Sequence, residues 1–314
     1  MQGNGYVSPL LDEFLSVRGV VSLVQDNQGF YLEEAESDSS PDTSNALYVQ
    51  SSALPKDIAR GSLIVVQGRV AEIGEGRDTL TAIVGTTGIE LCASDQALPL
   101  TPASLPLDKA RQESLEAMRI QVDDPLTVTD VYQFERGNIT LSGNGMQYVS
   151  TEVMAPGSQA RKLSSRNRSF ALPVKIPSNE RQAPVMVSGM PVEQVTGVMA
   201  HDRRGKRMSL ETMTGRKTPL FEIPEPAGEG VMRVVGMNLH NYFNGDGKGG
   251  GFPTPRGAET AYVFQAQRAR IGAAIRVLDP HIVAVMELEN DGFGSNSAAE
   301  DFIRLTIGAS NSRW

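Results

Sequence analysis

Residues 231–292 read VMRVVGMNLHNYFNGDGKGGGFPTPRGAETAYVFQAQRARIGAAIRVLDPHIVAVMELENDG, and this stretch decides the fold class. VMRVVGM and HIVAVM are unbroken apolar runs, the pattern of strands buried on both faces of a sheet. Between them lies a glycine-rich loop, 244–257, and then a helical segment, Glu259 to Leu278. Phe264, Ile271, Ile275 and Leu278 fall on one face of that helix, and Asp279-Pro280 ends it. A second helix is expected over Ser297 to Ile307. This is α/β grammar. Asn238 stands at the end of the first strand and Glu287 at the end of the second. In open α/β sheets, ligand groups gather where strands end. A carboxylate closing an apolar strand is costly unless it binds something. Mg²⁺ suits it, because that ion takes one or two carboxylates and keeps its waters. By itself the pattern also fits a solvated carboxylate at a sheet edge.

Upstream the grammar is β. Short strands are expected in LSVRGVVSLV (15–24), FYLEE (30–34), NALYVQ (45–50), ARGSLIVVQGRVAEI (59–73) and DTLTAIVG (78–85). Gly68 inside the fourth marks a bulge or bend. Five short strands with such bends give an OB-like barrel over residues 1–98. Phe30, Tyr31 and Tyr48 are read as core, with base stacking as the alternative. Residues 99–117 are read as a proline-rich linker with a short helix, Asp108 to Ala117. Residues 118–214 form a second β module, with strands in MRIQV, LTVTDVYQF, NITLS, MQYVS, FALPVKI, APVMVSG, EQVTGVMAH and KRMSLET. It includes a basic loop, Gly157 to Asn167. Residues 215–230 are an interdomain linker, and 231–314 form the α/β part.

Composition narrows the classes. The chain has 314 residues, enough for two or three domains. High glycine and proline with 6% aromatics favour turns and β structure. The one cysteine, Cys92, excludes an internal disulfide. No apolar run is long enough to span a membrane. The opening MQGNGYVSPL does not read as a signal peptide. Net charge is −8, but 156–217 holds twelve Lys/Arg against four Asp/Glu, which leaves −16 for the rest. A basic middle in an acidic chain is compatible with phosphate contact. Arg161, Lys162, Arg166 and Arg168 are its candidate nucleic-acid contacts, with a solvated surface as the plain alternative. The loop GDGKGGGFPTPRG lacks the Gly-Lys-Ser/Thr ending of a P-loop.

The stretch 237–292, MNLHNYF through ELENDG, closely resembles the start of the catalytic domain in ExeM/NucH-like bacterial extracellular nucleases, of the endonuclease/exonuclease/phosphatase superfamily. GNGYVSPL, GFYLEE, RGSLIVVQGRV, PLTVTDVYQFERGNITLS and VSTEVMAPGSQARKLSSRNRS resemble the same family's upstream modules. The resemblance implies two all-β, OB-like modules followed by the start of a four-layer α/β sandwich. It implies a secreted, metal-dependent nuclease hydrolysing DNA, with Mg²⁺, or Ca²⁺ or Mn²⁺, as cofactor. Asn238 matches the family's strand-end asparagine at the metal-phosphate site, and Glu287 matches its metal-binding glutamate. His240 departs from the family's apolar residue and is read as a packed or partly exposed histidine. The family's phosphoryl-transfer histidines match nothing here. The expectation is therefore a truncated catalytic domain with little nuclease activity, marginally stable alone because its strands lack a partner sheet. The alternative is an OB-type binding module with a nonfunctional catalytic remnant.

Overall fold

The computed structural model describes residues 2–3, 5–25, 28–36, 40–52, 55–75, 78–177, 186–202, 205–215, 225 and 228–309. They fall into two compact units, 1–219 and 220–314. The first is β-rich and multi-sheeted.

Its first five strands are β1 (Phe14–Gln25), β2 (Gly29–Glu33), β3 (Ala46–Gln50), β4 (Leu63–Glu75) and β5 (Asp78–Ala93). They close a barrel in the order β1-β2-β3-β5-β4. Only β3 and β5 pair in parallel. Val21, Phe30, Leu32, Val49, Ile64 and Ile83 fill the interior. Gly68 sits at a register shift in β4, as its place in the strand led us to expect. A Cβ there would stand 2.4 Å from Ile83 Cγ2. Glycine is what lets the two strands close.

The next elements are β6 (Thr101–Ala103), α1 (Lys109–Ser114), β7 (Arg119–Val122), β8 (Leu126–Asp130), β9 (Asn138–Ser142), α2 (Ser150–Val153), α3 (Ser158–Phe170), β10 (Ala171–Lys175), β11 (Pro191–Val192), β12 (Gln194–Asp202) and β13 (Gly205–Thr214). Their strands form an eight-stranded sheet in the order β11-β8-β9-β10-β13-β12-β7-β6. Asp108 caps α1 by accepting the Arg111 N–H at 2.8 Å.

Four expectations change. The basic loop at 157–167 is the helix α3. Its Gln, Ala, Arg, Lys and Leu residues favour helix more than its serines oppose it, and Ala160 is buried beneath it. The linker contains β6, an edge strand in which Pro102 is tolerated because β7 is its one neighbour. MQYVS leads into α2 and forms no strand. In APVMVSG, residues 186–189 form no strand, and 183–185 lie outside the described residues.

The barrel and the eight-stranded sheet share a core. Tyr31, Tyr48, Leu80 and Ala82 of the barrel cluster with Ile120, Leu141, Val198 and Met208 of the sheet. Charge is buried at this seam. Glu33 is 1% exposed and accepts the Arg119 N–H at 3.0 Å. Burial pushes its carboxyl up to about 8; the Arg119 N–H and guanidinium oppose this and Glu211 adds to it. The folded chain therefore holds a proton that the unfolded chain releases near 4.5. Stability from this group is present below that lower value and is lost as pH rises toward 8. Glu33→Gln is expected to flatten this decline, stabilising the chain on the order of 2 kcal/mol at pH 8. Urea unfolding at acidic and alkaline pH checks it. Equal pH slopes for both proteins would refute the assignment.

The second unit contains β14 (Val234–Tyr242), α4 (Ala261–Leu278), β15 (Ile282–Leu288) and α5 (Ala298–Ala309). The two strands pair in parallel, with α4 as the crossover. Thr260 caps α4 by accepting the Val263 N–H. Leu239, Tyr242, Phe264, Ile275 and Phe302 make the core, with Met237, Val283 and Val285 against it. Gly272 lets α5 approach α4: a Cβ there would lie 2.8 Å from Leu305 Cδ1. Burial on both strand faces does not hold. Val234 (61%), Met286 (54%) and Ile282 (48%) are exposed, because both helices pack on the opposite face. Among the described residues, no helix is long and apolar enough to cross a membrane.

Candidate metal and phosphate site

At the rim of the two-stranded sheet the backbone leaves strand geometry. His240 (φ 58°), Asn241 (φ 55°) and Glu287 (φ 59°) all take left-handed conformations. Asparagine and histidine take this conformation more readily than most residues, but Glu287 does so at a cost of about 1–3 kcal/mol. The kink shifts the register between Asn238 and Tyr242, so that Tyr242 pairs with Leu288. Gln267 of α4 holds the kink by donating to the carbonyls of Leu239 and His240 at 2.7 and 2.9 Å. Such irregularities concentrate beside functional sites.

The kink brings Asn238 and Glu287 together. Asn238 Nδ2 donates to Glu287 Oε1 at 2.8 Å, and the Asn241 N–H donates to Oε2 at 3.0 Å. Asn238 Oδ1 accepts the His240 N–H at 2.8 Å. The Asn238 amide, followed by the Asn241 N–H and the charges of His240 and Arg256, holds the exposed Glu287 carboxyl below its usual range. It is therefore an anion near neutral pH. Each oxygen accepts one of these bonds and keeps a further lone pair. One carboxylate, oriented by an amide N–H, suits a cation that retains most of its water, as Mg²⁺ does. Among the described residues, no three His, Cys, Asp or Glu side chains gather as a fuller metal cage.

No family model matches the chain, and no curated protein matches it.

The neighbouring acids have structural work. Glu289 accepts the Asn244 N–H at 3.2 Å, and partial burial raises its carboxyl. Asp291 accepts the Ala298 N–H at the start of α5. Asp246 accepts the N–H groups of Lys248 and Gly250, folding the glycine loop on itself. Sequence reading missed the Asn241 N–H and Gln267, whose parts depend on a backbone kink with no residue signature. Arg161, Lys162, Arg166 and Arg168 belong to the other compact unit, on α3, and all four are exposed. Phe30, Tyr31 and Tyr48 are buried core.

A wide cleft lies in the β-rich unit, away from Glu287. Its volume is about 1520 Å³, and Gln28, Tyr48, Gln50, Arg136, Lys175 and His201 help to line it. Amides and hydroxyls share its wall with apolar and charged side chains, so it offers a binding surface. The strand end at Glu287, with its left-handed backbone and lowered carboxyl, is the candidate site.

Proposed function

We propose that the α/β unit is the metal- and phosphate-holding part of a metal-dependent nuclease that hydrolyses DNA phosphodiester bonds. The observation that carries this reading is Glu287, ionised and held in a left-handed strand end by Asn238 and Asn241. The resemblance of 237–292 to ExeM/NucH-like secreted nucleases supports it, as does the parallel β14-α4-β15 unit with its polar strand ends. Glu287 would hold Mg²⁺, with Ca²⁺ or Mn²⁺ as substitutes, and Asn238 would orient the carboxylate beside the phosphate. Such an ion, when bound, neutralises charge developing on a phosphate. The chain's own residues fix the carboxylate's position before any ligand arrives, which is the preorganisation electrostatic catalysis requires.

A second reading has its own support. The barrel's 1-2-3-5-4 strand order and the cleft beside it suit an OB-type binding module. The two readings combine if the β-rich unit holds the nucleic acid on which the α/β unit acts.

Nicking of supercoiled plasmid, with Mg²⁺ and with chelator, tests the enzymatic reading. Weak, chelator-sensitive nicking that Glu287→Ala abolishes is expected. It should be weak because efficient in-line attack also needs a general base and a leaving-group acid. Cutting that ignores Glu287→Ala, or no cutting together with no Mn²⁺ binding, defeats the proposal.

A further inference from the structure

The first unit carries a second feature suited to nucleic acid, built from α3 and the loop before it. α3 contains Arg161, Lys162, Arg166 and Arg168 and no acidic residue. At 100° per residue these four cover a sector of roughly 160° and an axial length of about 10 Å. Among the described residues, no carboxylate is within ion-pair distance of any of them. Two are held in place. Arg168 donates to the hydroxyls of Ser164 and Ser165 at 2.7 and 3.1 Å. Arg166 donates to Asn144 Oδ1 at 3.0 Å and lies 5.8 Å from the Phe170 ring centre. Four uncompensated cations in a chain of net charge −8 make a focused positive field.

The loop alongside adds an aromatic group. Asn167 Nδ2 donates to the Tyr148 carbonyl at 3.1 Å, and Gln147 Nε2 donates to the Asn167 carbonyl at 2.8 Å. The Gln147 N–H is tied in turn to the Thr129 hydroxyl at 3.0 Å. The backbone is thus pinned to α3 while the Tyr148 side chain stays 58% exposed. An exposed tyrosine on backbone anchored to a basic helix is more than a solvated helix requires. The one acid of the adjoining α2 is Glu152.

We infer that α3 and Tyr148 form a binding surface for single-stranded nucleic acid, with the four cations on successive phosphates and the tyrosine ring stacked on an unpaired base. Stacking explains the preference, since every base has a π-face that a duplex conceals. This inference stands on residues of the first unit and not on the site of Glu287.

Fluorescence anisotropy of the full chain tests it, using labelled oligothymidylate and a duplex of equal length in chelator across a salt series. Chelator silences metal-dependent chemistry, so failure here is separate from failure of the nuclease reading. The oligothymidylate should bind more tightly than the duplex, with log K falling against log salt at a slope of about −3. Replacing all four cations with Ala should bring that slope close to zero. Tyr148→Ala should weaken binding roughly 10-fold at unchanged slope, and Tyr148→Phe should restore it. These side chains are exposed, so unchanged melting of each variant is the folding control. Absence of binding at low salt, equal affinity for duplex, or indifference to Tyr148→Ala would overturn the inference. Binding to phosphatidylserine vesicles without binding to the oligonucleotide would overturn it in favour of a membrane surface.

Discussion

Replacing Glu287 with Ala is expected to weaken Mn²⁺ binding to the chain by roughly 100-fold, read by calorimetric titration. Loss of a residue that merely supports a metal ligand costs 10–100-fold, so loss of the ligand belongs at the upper end. The fold should tolerate the change. Glu287 is exposed, and its bonds to Asn238 and the Asn241 N–H are made in solvent, where each is worth about 1 kcal/mol or less. The melting temperature should therefore move little while affinity collapses. Glu287→Gln separates charge from shape. It keeps a side-chain oxygen for the Asn241 N–H but removes the anion, so it should bind Mn²⁺ almost as poorly as the alanine variant. Wild-type affinity in the glutamine variant would mean that the carboxylate is not a ligand.

Tyr31→Ala should destabilise the β-rich unit by about 4 kcal/mol. The side chain is fully buried in the core common to the barrel and the eight-stranded sheet. Its ring lies 5.0 Å from that of Tyr48, and its hydroxyl accepts the His201 N–H at 3.1 Å. Burial raises the phenol's pKa, so it stays protonated through the ordinary pH range. Truncation removes the ring from both sides of the seam at once. Tyr31→Phe keeps the ring and leaves the His201 N–H unpaired, for a smaller loss of about 1–2 kcal/mol. Urea unfolding followed by probes in the barrel and in the sheet should show one shared transition that shifts in both variants. Two independent transitions, with only the barrel shifted, would show that the seam does not couple them.

What the sequence disclosed and what it hid follow from where the information resides. β14, α4 and β15 were legible because continuous apolar runs and a 3.6-residue stripe are written in consecutive residues. Gly68 was legible because a bend inside a strand demands a residue type. The helix α3 was not, because its serines and arginines compete as loop and helix formers and tertiary contact decides between them. The exposed faces of β14 and β15 were not, because Val234, Ile282 and Met286 do not reveal which side the helices will cover. At the candidate site, strand ends pointed to Asn238 and Glu287. Their hydrogen bond, the Asn241 N–H and the hold of Gln267 all depend on left-handed turns at His240, Asn241 and Glu287. Asparagine and histidine permit such a turn without requiring it, and glutamate gives no sign of one.

The account rests on a cation held at Glu287 beside Asn238, and anomalous scattering from crystals of the chain equilibrated with Mn²⁺ locates such an ion directly. A peak about 2.1 Å from a Glu287 carboxylate oxygen is the predicted result. Crystals saturated with Mn²⁺ that show no peak at Glu287, or one only at some distant group of carboxylates, would contradict it.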